Sequence, residues 1–350
     1  MPTFSHTDLR SFTRSIFQAA GAPPSEAEIV SDHLVDANLA GHDSHGVIRA
    51  AAYTRGMMKG VVPYSEYEIV KDTPISRIVN ARDGLGIVAA LKATEWAIEK
   101  AKVTGFGAVG VHRNGHTGRL GDYPPRAAEQ GLVGLCLLNG GGRFVAPFGG
   151  TGRCLPPNPI SFAAPRANGE PVLVDMTMSV VAGGKIDVAK ARGEDLPEGW
   201  MIDDEGNSVT DPDRFYQQGG AVLPLGGMQF GHKGYGLGFL VDILAGGLTW
   251  AGCSNDKPTR GANGFLSIAI NIEHFIPLDE FQAEVEKLIA WAKSGPKLPG
   301  IAEIHIPGGP EQKAREDRTA NGIDIEDTTW AALSEMAGEL GLPSPDPLSL

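Results

Sequence analysis

Residues 83–91 read DGLGIVAAL. Whether Gly84, Gly86 and Ala89 form a dinucleotide fingerprint decides what kind of sheet the chain builds. The spacing imitates the G-x-G-x-x-G/A turn that brings a pyrophosphate against backbone amides at a helix start. Two features oppose that reading. The apolar strand ahead of it, ISRIVN at 75–80, is short. No acidic side chain closes a second strand about twenty residues on, where a ribose hydroxyl would need an acceptor. That place holds GAVGVHR. The favoured reading is a strand-to-helix turn that needs glycine for its backbone.

Outward from this turn, GAVGVHR (107–113) and LVGLCLLN (132–139) read as further strands, with helical segments at 87–102 and 119–130 between them. FLSIAINIEHF (265–275) is another strand, followed by the helix LDEFQAEVEKLIAWAKS. IAEIHIPG (301–308) is a late strand, and 326–340 a last helix. Such alternation implies an α/β domain with a mixed sheet. The first sixty residues differ. Ser5 or Thr7 caps a helix carrying Leu9, Phe12, Ile16 and Phe17, which ends at Gly21 and Pro23-Pro24. Ser25 opens a second helix that stops at Gly41. A third is expected from Ser44 to Met58. The expected division is a helical part, 1–72 with 279–350, and a sheet domain, 73–278.

The 350 residues carry a net charge of −12, which argues against a nucleic acid or anionic membrane as partner. No apolar run approaches the ~18 residues needed to cross a bilayer. MPTFSHTDLRSFTRSIF lacks the apolar core of a secretory leader. Cys136, Cys154 and Cys253 follow no metal-binding spacing and read as reduced thiols. A cytoplasmic protein is expected.

GHDSHGVIRA (41–50) concentrates reactive side chains. If Ser44 caps the third helix, His45 lies in its first turn and Arg49 one turn on, both on one face near the positive end of the helix dipole. A 2-oxo acid needs a cation for its carboxylate and a proton donor at its ketone. Arg49 offers a bidentate fork and His45 a titratable imidazole. Alternatives stand beside this: His42, His45 and Asp43 as zinc ligands of a hydrolase or lyase, or a polar cap with no chemistry. A serine nucleophile would want a G-x-S-x-G elbow, which HDSHG is not. The loop after GAVGVHR holds His112, Asn114, His116 and Arg119 before a helix start suited to a phosphate. GGMQFGHKGYGLGFLVDIL (226–244) places His232 and Lys233 in a glycine run just before an amphipathic helix, again suited to an anion. HIPGGPEQKARE (305–316) is a glycine turn into a charged helix.

GHDSHGVIR, NGHTGRLGDYPPRAAEQGLVGL, PPNPISFAAP, VDMTMSVVAGGK, LPLGGMQFGHKGYGLGFLVDILAGGLTWAG and IPGGPEQKARE occur in this order along the chain. In that order they resemble the malate/L-lactate dehydrogenase family of NAD(P)-dependent oxidoreductases, which is distinct from the Rossmann-type enzymes of similar name. The resemblance spans nearly the whole chain. It implies a helical N-terminal part, an unusual mixed-sheet cofactor domain, a homodimer, and NAD or NADP as cofactor. It implies a small carboxylate substrate reacting at C2: a 2-oxo or 2-hydroxy acid or, alternatively, a cyclic imine such as piperideine- or pyrroline-2-carboxylate. His45 then resembles the proton donor, Ser44 its relay partner and Arg49 the carboxylate anchor. The cofactor-binding segments correspond to His116, Thr117, Gly118, Arg119 and Leu120; Asp175, Met176 and Thr177; His232 and Lys233; and Gly308, Gly309, Pro310, Glu311 and Arg315. No metal is implied. Two departures stand out. Pro156-Pro157-Asn158-Pro159 replaces Gly-Thr-Asn-Pro, so Asn158 is kept as a substrate contact while Pro157 can donate nothing. Lys185 stands where some members have a relay acid, leaving Asp187 as the carboxylate nearest in sequence.

Overall fold

A computed structural model describes residues 1–60, 67–140, 142–217, 219–257 and 263–348. Its strands are β1 (Thr3–Phe4), β2 (Glu68–Asp72), β3 (Ser76–Asn80), β4 (Phe106–Asn114), β5 (Leu132–Asn139), β6 (Ile160–Ala164), β7 (Val172–Met176), β8 (Met201–Ile202), β9 (Ser208–Val209), β10 (Ala221–Val222), β11 (Asn263–Asn271) and β12 (Ile323–Asp324). Its α-helices are α1 (His6–Ala19), α2 (Pro24–Leu39), α3 (Ala50–Met58), α4 (Gly86–Thr104), α5 (Pro125–Ala128), α6 (Gly183–Arg192), α7 (Gly227–Val241), α8 (Leu278–Lys293), α9 (Gly309–Asn321) and α10 (Asp327–Glu339).

The main sheet runs β2-β3-β4-β11-β5-β6-β7. Its parallel pair is β3 with β4, joined through α4, and the other neighbours are antiparallel. This is a mixed sheet and not a doubly wound one, as the reading of residues 83–91 implied. The glycines there serve close packing: a Cβ on Gly86 would lie 2.2 Å from the Gly115 carbonyl oxygen, and one on Gly115 would lie 2.6 Å from that of Gly84. Helix α4 meets the sheet through Ala89, Ala90, Ala93, Ala97 and Ala101, all buried. Small side chains are required, because a Cβ on Gly107 of β4 would lie only 2.0 Å from the Ala97 carbonyl.

Register fixes where a site can form. Asn263 faces Asn114, Gly264 faces Asn139, and Ile160 faces both Leu137 and Met176. The ends of β4, β5 and β7 and the starts of β11 and β6 therefore share one sheet edge, with Asn158 just ahead of β6. Helices α1, α2, α3 and α10 enclose a separate apolar core of Phe4, Phe17, Leu34, Val47 and Met336, which takes in Ile87 and Val88 from the start of α4. That core lies against the same edge.

Four expectations change. The third helix begins at Ala50, preceded by two 3₁₀ turns, Asp43–His45 and Val47–Arg49. The segment 119–130 holds a 3₁₀ turn, Leu120–Asp122, and the short α5, because Pro124-Pro125 interrupts it. Residues 301–308 form no strand: Leu173 of the edge strand β7 donates its N–H to the Pro307 carbonyl, the one backbone bond from β7 to this segment among the described residues. His232 and Lys233 lie inside α7, not ahead of it.

Candidate active site

Helix α2 ends at Leu39 and the chain turns at Gly41, with φ 80°. The residues that follow are clamped. Asn38 donates from Nδ2 to Asp43 Oδ1 at 2.7 Å and accepts the Val47 N–H at Oδ1 at 2.9 Å. Gly46 must be glycine here, since a Cβ would sit 2.3 Å from Asn38 Oδ1. From α9, Arg318 reaches both oxygens of Asp43 at 2.6 and 3.0 Å. This fork-to-carboxylate pairing fixes orientation as well as distance.

On this loop Ser44 Oγ and His45 Nδ1 are 3.0 Å apart, which leaves Nε2 as the ring nitrogen without a protein partner among the described residues. Arg49 does not follow His45 along an α-helix, because extended backbone at Gly46 intervenes. The guanidinium nevertheless returns, with Nε donating to the Ser44 carbonyl at 2.7 Å. No other hydrogen bond or ion pair of Arg49 occurs among the described residues, which leaves both Nη groups available to a ligand. Helix α6 starts against the same loop: a Cβ on Gly184 would lie 2.5 Å from that of Ser44.

His116 completes the group. Its ring lies over that of His45, centroids 5.6 Å apart and planes 20° apart. Its Nδ1 receives the Tyr53 hydroxyl at 2.5 Å and the Gly118 N–H at 3.2 Å. With Nδ1 accepting, the proton of the neutral ring sits on Nε2. The ring keeps contact with solvent although protein crowds it. Loss of hydration lowers the pKa of His45 to about 3, with the His116 and Arg49 charges acting in the same direction. The same causes, burial first and then Arg49, bring His116 to about 4.

A second cluster adjoins the first. Arg119 is buried, 3.5 Å from Asp175 Oδ2, which also accepts the Gly121 N–H at 2.9 Å. Burial raises the Asp175 pKa, and Arg119 partly offsets this. Glu311, at the start of α9, lies 3.4 Å from His42 Nε2 and is lowered chiefly by that contact. His42 and His45 thus engage different partners. No group of three or more His, Cys, Asp or Glu among the described residues is arranged to hold a metal ion. The hydrolase reading needed those two imidazoles on one ion; instead His42 lies against Glu311 and His45 against Ser44.

The other sequence candidates divide. Gly308, with φ 91°, turns the chain into α9 beside Leu173 of β7, placing Gly309, Pro310 and Glu311 at the helix start. Arg315 pairs with Asp36 of α2 at 2.9 Å. Leu120 is buried in the sheet core. Met176 is exposed at the sheet edge, while Thr177 bonds with Ser179. Asn158, with φ 41°, donates to the Gly238 carbonyl and to Asp242 Oδ2, where α7 passes into a π-helical turn, Asp242–Gly247. Its Oδ1 is buried without a partner. Asp187 is raised by burial and countered by Arg49; it makes no hydrogen bond to Ser44 or His45 among the described residues. His232 and Lys233 stand on the exposed face of α7 against Phe148 and Phe230. Tyr53 was missed from sequence, although its place one turn beyond Arg49 could have revealed it. Asn38 and Arg318 carried no local signal.

The edge is built to receive a polar ligand. Arg119 Nη2, Thr117 Oγ1, both Asn114 amide atoms and Asn158 Oδ1 are buried without a hydrogen-bond partner among the described residues. Each such atom costs about 1–3 kcal/mol unless a ligand meets it, and together with the α9 N-terminus they fit a phosphate- and ribose-bearing cofactor.

The sequence matches the family described as malate/L-lactate dehydrogenase over residues 4–334. The chain belongs to that family. Malate dehydrogenase of Pyrococcus horikoshii is 39% identical over 342 residues, 95% of this chain and 94% of that protein. Malate dehydrogenase of Entamoeba histolytica superposes with a TM-score of 0.93 at 28% identity, covering 98% of this chain and 99% of that one. The Δ1-piperideine-2-carboxylate reductase of Pseudomonas syringae gives 0.82 at 29% identity, with 96% and 100% covered. This malate/L-lactate dehydrogenase family member is an oxidoreductase of small 2-hydroxy or 2-oxo acids that works with a nicotinamide cofactor.

Proposed function

We propose that the enzyme interconverts a small 2-hydroxy acid and its 2-oxo acid, with His45 as the proton-transferring residue and Arg49 as the carboxylate anchor. One observation carries this reading: His45 Nε2 and both Arg49 Nη groups lie on one clamped loop with no protein partner among the described residues. The nicotinamide cofactor, when bound, takes or supplies a hydride at C2. Arg49 holds the carboxylate in a fork and so orients C2. His45, neutral with its pKa near 3, accepts the substrate hydroxyl proton at Nε2 during oxidation and returns it during reduction. Nδ1 then donates to Ser44 Oγ and keeps the ring in register. A carboxylate bound to Arg49 weakens one of the charges that disfavour imidazolium, so substrate itself eases the transfer. Asp187 stands near Arg49 as a compensating charge. Arg119, Thr117, Asp175 and the Gly308–Glu311 turn would hold the cofactor.

His45→Ala is expected to lower kcat by about 10²–10⁴-fold while cofactor still binds. Arg49→Ala is expected to raise KM by about 10–100-fold. Retention of activity by His45→Ala with every acid in a panel of 2-hydroxy, 2-oxo and cyclic 2-imino acids, assayed with both NADH and NADPH, would overturn the assignment. Pro157 and the likeness to the piperideine reductase favour a second reading, reduction of a cyclic 2-imino acid. The same panel separates the two.

The finer expectations are part of this proposal. Three free cysteines suit a reducing cytoplasm, and no helix among the described residues is long and apolar enough to cross a membrane. A homodimer is supported by α7 and the turn after it, where Phe230, Leu240, Ile243 and Leu248 are about half exposed or more. The division into 1–72 with 279–350 and 73–278 is supported by the core shared by α1, α2, α3 and α10, although α8 reaches the sheet domain through Glu286 and Arg166.

A further inference from the structure

His33 lies on α2, 3% exposed, and belongs to none of the groups described so far. Its Nε2 accepts the backbone N–H of Arg119 at 2.9 Å, and its Nδ1 lies 3.1 Å from Asp122 Oδ2. An imidazole that accepts at Nε2 must carry its proton on Nδ1, so it donates to the Asp122 carboxylate. The ring is also held by stacking on Tyr123, centroids 5.4 Å apart. Tyr123 in turn donates its hydroxyl to the Thr117 carbonyl at 2.5 Å. The backbone presses directly on the imidazole: Gly118 has φ 66°, and a Cβ there would lie 2.1 Å from His33 Nε2. The segment between His116, which lies over His45, and Arg119, which faces Asp175, is thus moulded around one buried side chain.

We propose that His33, oriented by Asp122, is a positioning residue that sets the 116–119 segment for cofactor binding and places His116 beside His45. The inference rests on the functional reading above, since it assigns His33 to the same site. Helix α2 gives it leverage. Within two turns, His33 holds the 116–119 segment, Asp36 holds Arg315 of α9, and Asn38 holds the His45 loop. One rigid helix therefore sets the spacing between the proton-transfer group and the proposed cofactor segments.

The test uses the whole enzyme and three measurements. In His33→Leu the Arg119 N–H loses its acceptor, and the Asp122 carboxylate loses its imidazole partner while Arg126 stays 3.6 Å away. The dissociation constant for NADH or NADPH, read from nicotinamide fluorescence, should rise about tenfold, with kcat falling at least as much. In His33→Gln the side-chain oxygen can accept from Arg119 while the amide donates to Asp122, so both values should return to within about threefold of the parent. In the parent enzyme, imidazole ¹⁵N shifts should report His33 protonated on Nδ1. Folded His33→Leu with unchanged cofactor affinity would overturn the proposal, as would His33→Gln no better than His33→Leu. Should His33→Leu fail to fold, the His33→Gln values and the tautomer still decide, and a proton on Nε2 sinks the idea. Failure here with His45→Ala still inactive would leave the reaction assignment standing; an active His45→Ala would remove that assignment instead.

Discussion

At the scale of single residues, the feature with most consequence is a pair of imidazoles kept neutral. An exposed histidine titrates near 6.5, but burial and the neighbouring Arg49 hold His45 near 3 and His116 near 4. The kcat/KM profile reports groups of the free enzyme. For oxidation of the hydroxy acid it should therefore show no inflection near 6.5 between about pH 5.5 and 8. An inflection near 6.5 that disappears in His116→Asn would show that solvent reaches these rings more freely than the surrounding protein suggests. Residue types were legible in the sequence because the chemistry of a 2-oxo acid asks for a cation and a proton carrier, and GHDSHGVIR supplies both. Their mutual geometry was not. It depends on Gly46 yielding to Asn38 and on Arg318 gripping Asp43 across a separation of 275 residues, neither of which is a local pattern.

At the scale of elements, periodicity served where one face meets a core and failed where loops and ends decide. Ser5 caps α1 by accepting the Asp8 N–H, as its position ahead of an apolar stripe implied. The third helix starts late because the His45 loop spends its backbone bonds on Asn38 and on 3₁₀ turns. Helix α7 misled differently. Its glycines suggested a loop, yet they let other backbone approach: a Cβ on Gly234 would lie 2.4 Å from Leu225 N. Glycine in a helix costs about 1 kcal/mol relative to alanine, a loss offset here by close packing on one side. The other side leaves Phe230, Leu237, Phe239 and Leu240 partly exposed. If a second copy covers that face, Leu240→Arg should shift the protein from dimer to monomer in sedimentation velocity while its circular dichroism stays unchanged. A parent enzyme that sediments as a monomer at micromolar concentration would refute the dimer directly.

At the scale of the whole molecule, the site lies where a helical cluster meets one edge of a mixed sheet, and that meeting couples stability to proton binding. The chain closes on itself, β1 pairing with β12 and β11 entering the sheet between β4 and β5 from far along the sequence. Strand identities were legible from alternation and turn residues, but the order was not, because nothing local specifies an antiparallel insertion. The closed fold brings His45 from the helical side over His116 from the sheet side, and burial there depresses the His45 pKa from 6.5 to about 3. The sign follows. Between these values the unfolded chain binds a proton that the folded one excludes, so unfolding is favoured as pH falls, and the full stability is present only above about 6.5. At pH 5 the His45 contribution to this loss is at most about 2 kcal/mol, less whatever its partial exposure screens. Differential scanning calorimetry should therefore give a Tm that falls from pH 7 to pH 5, and His45→Asn should flatten that slope. Binding obeys the same linkage in reverse. A carboxylate on Arg49 favours the charged imidazole, so calorimetric titration with a 2-oxo acid near pH 5 should show proton uptake that scales with buffer ionisation enthalpy and is absent in His45→Asn. Equal uptake in both proteins would mean that the titrating group is some other side chain, and that Arg49 and His45 do not act on the same ligand.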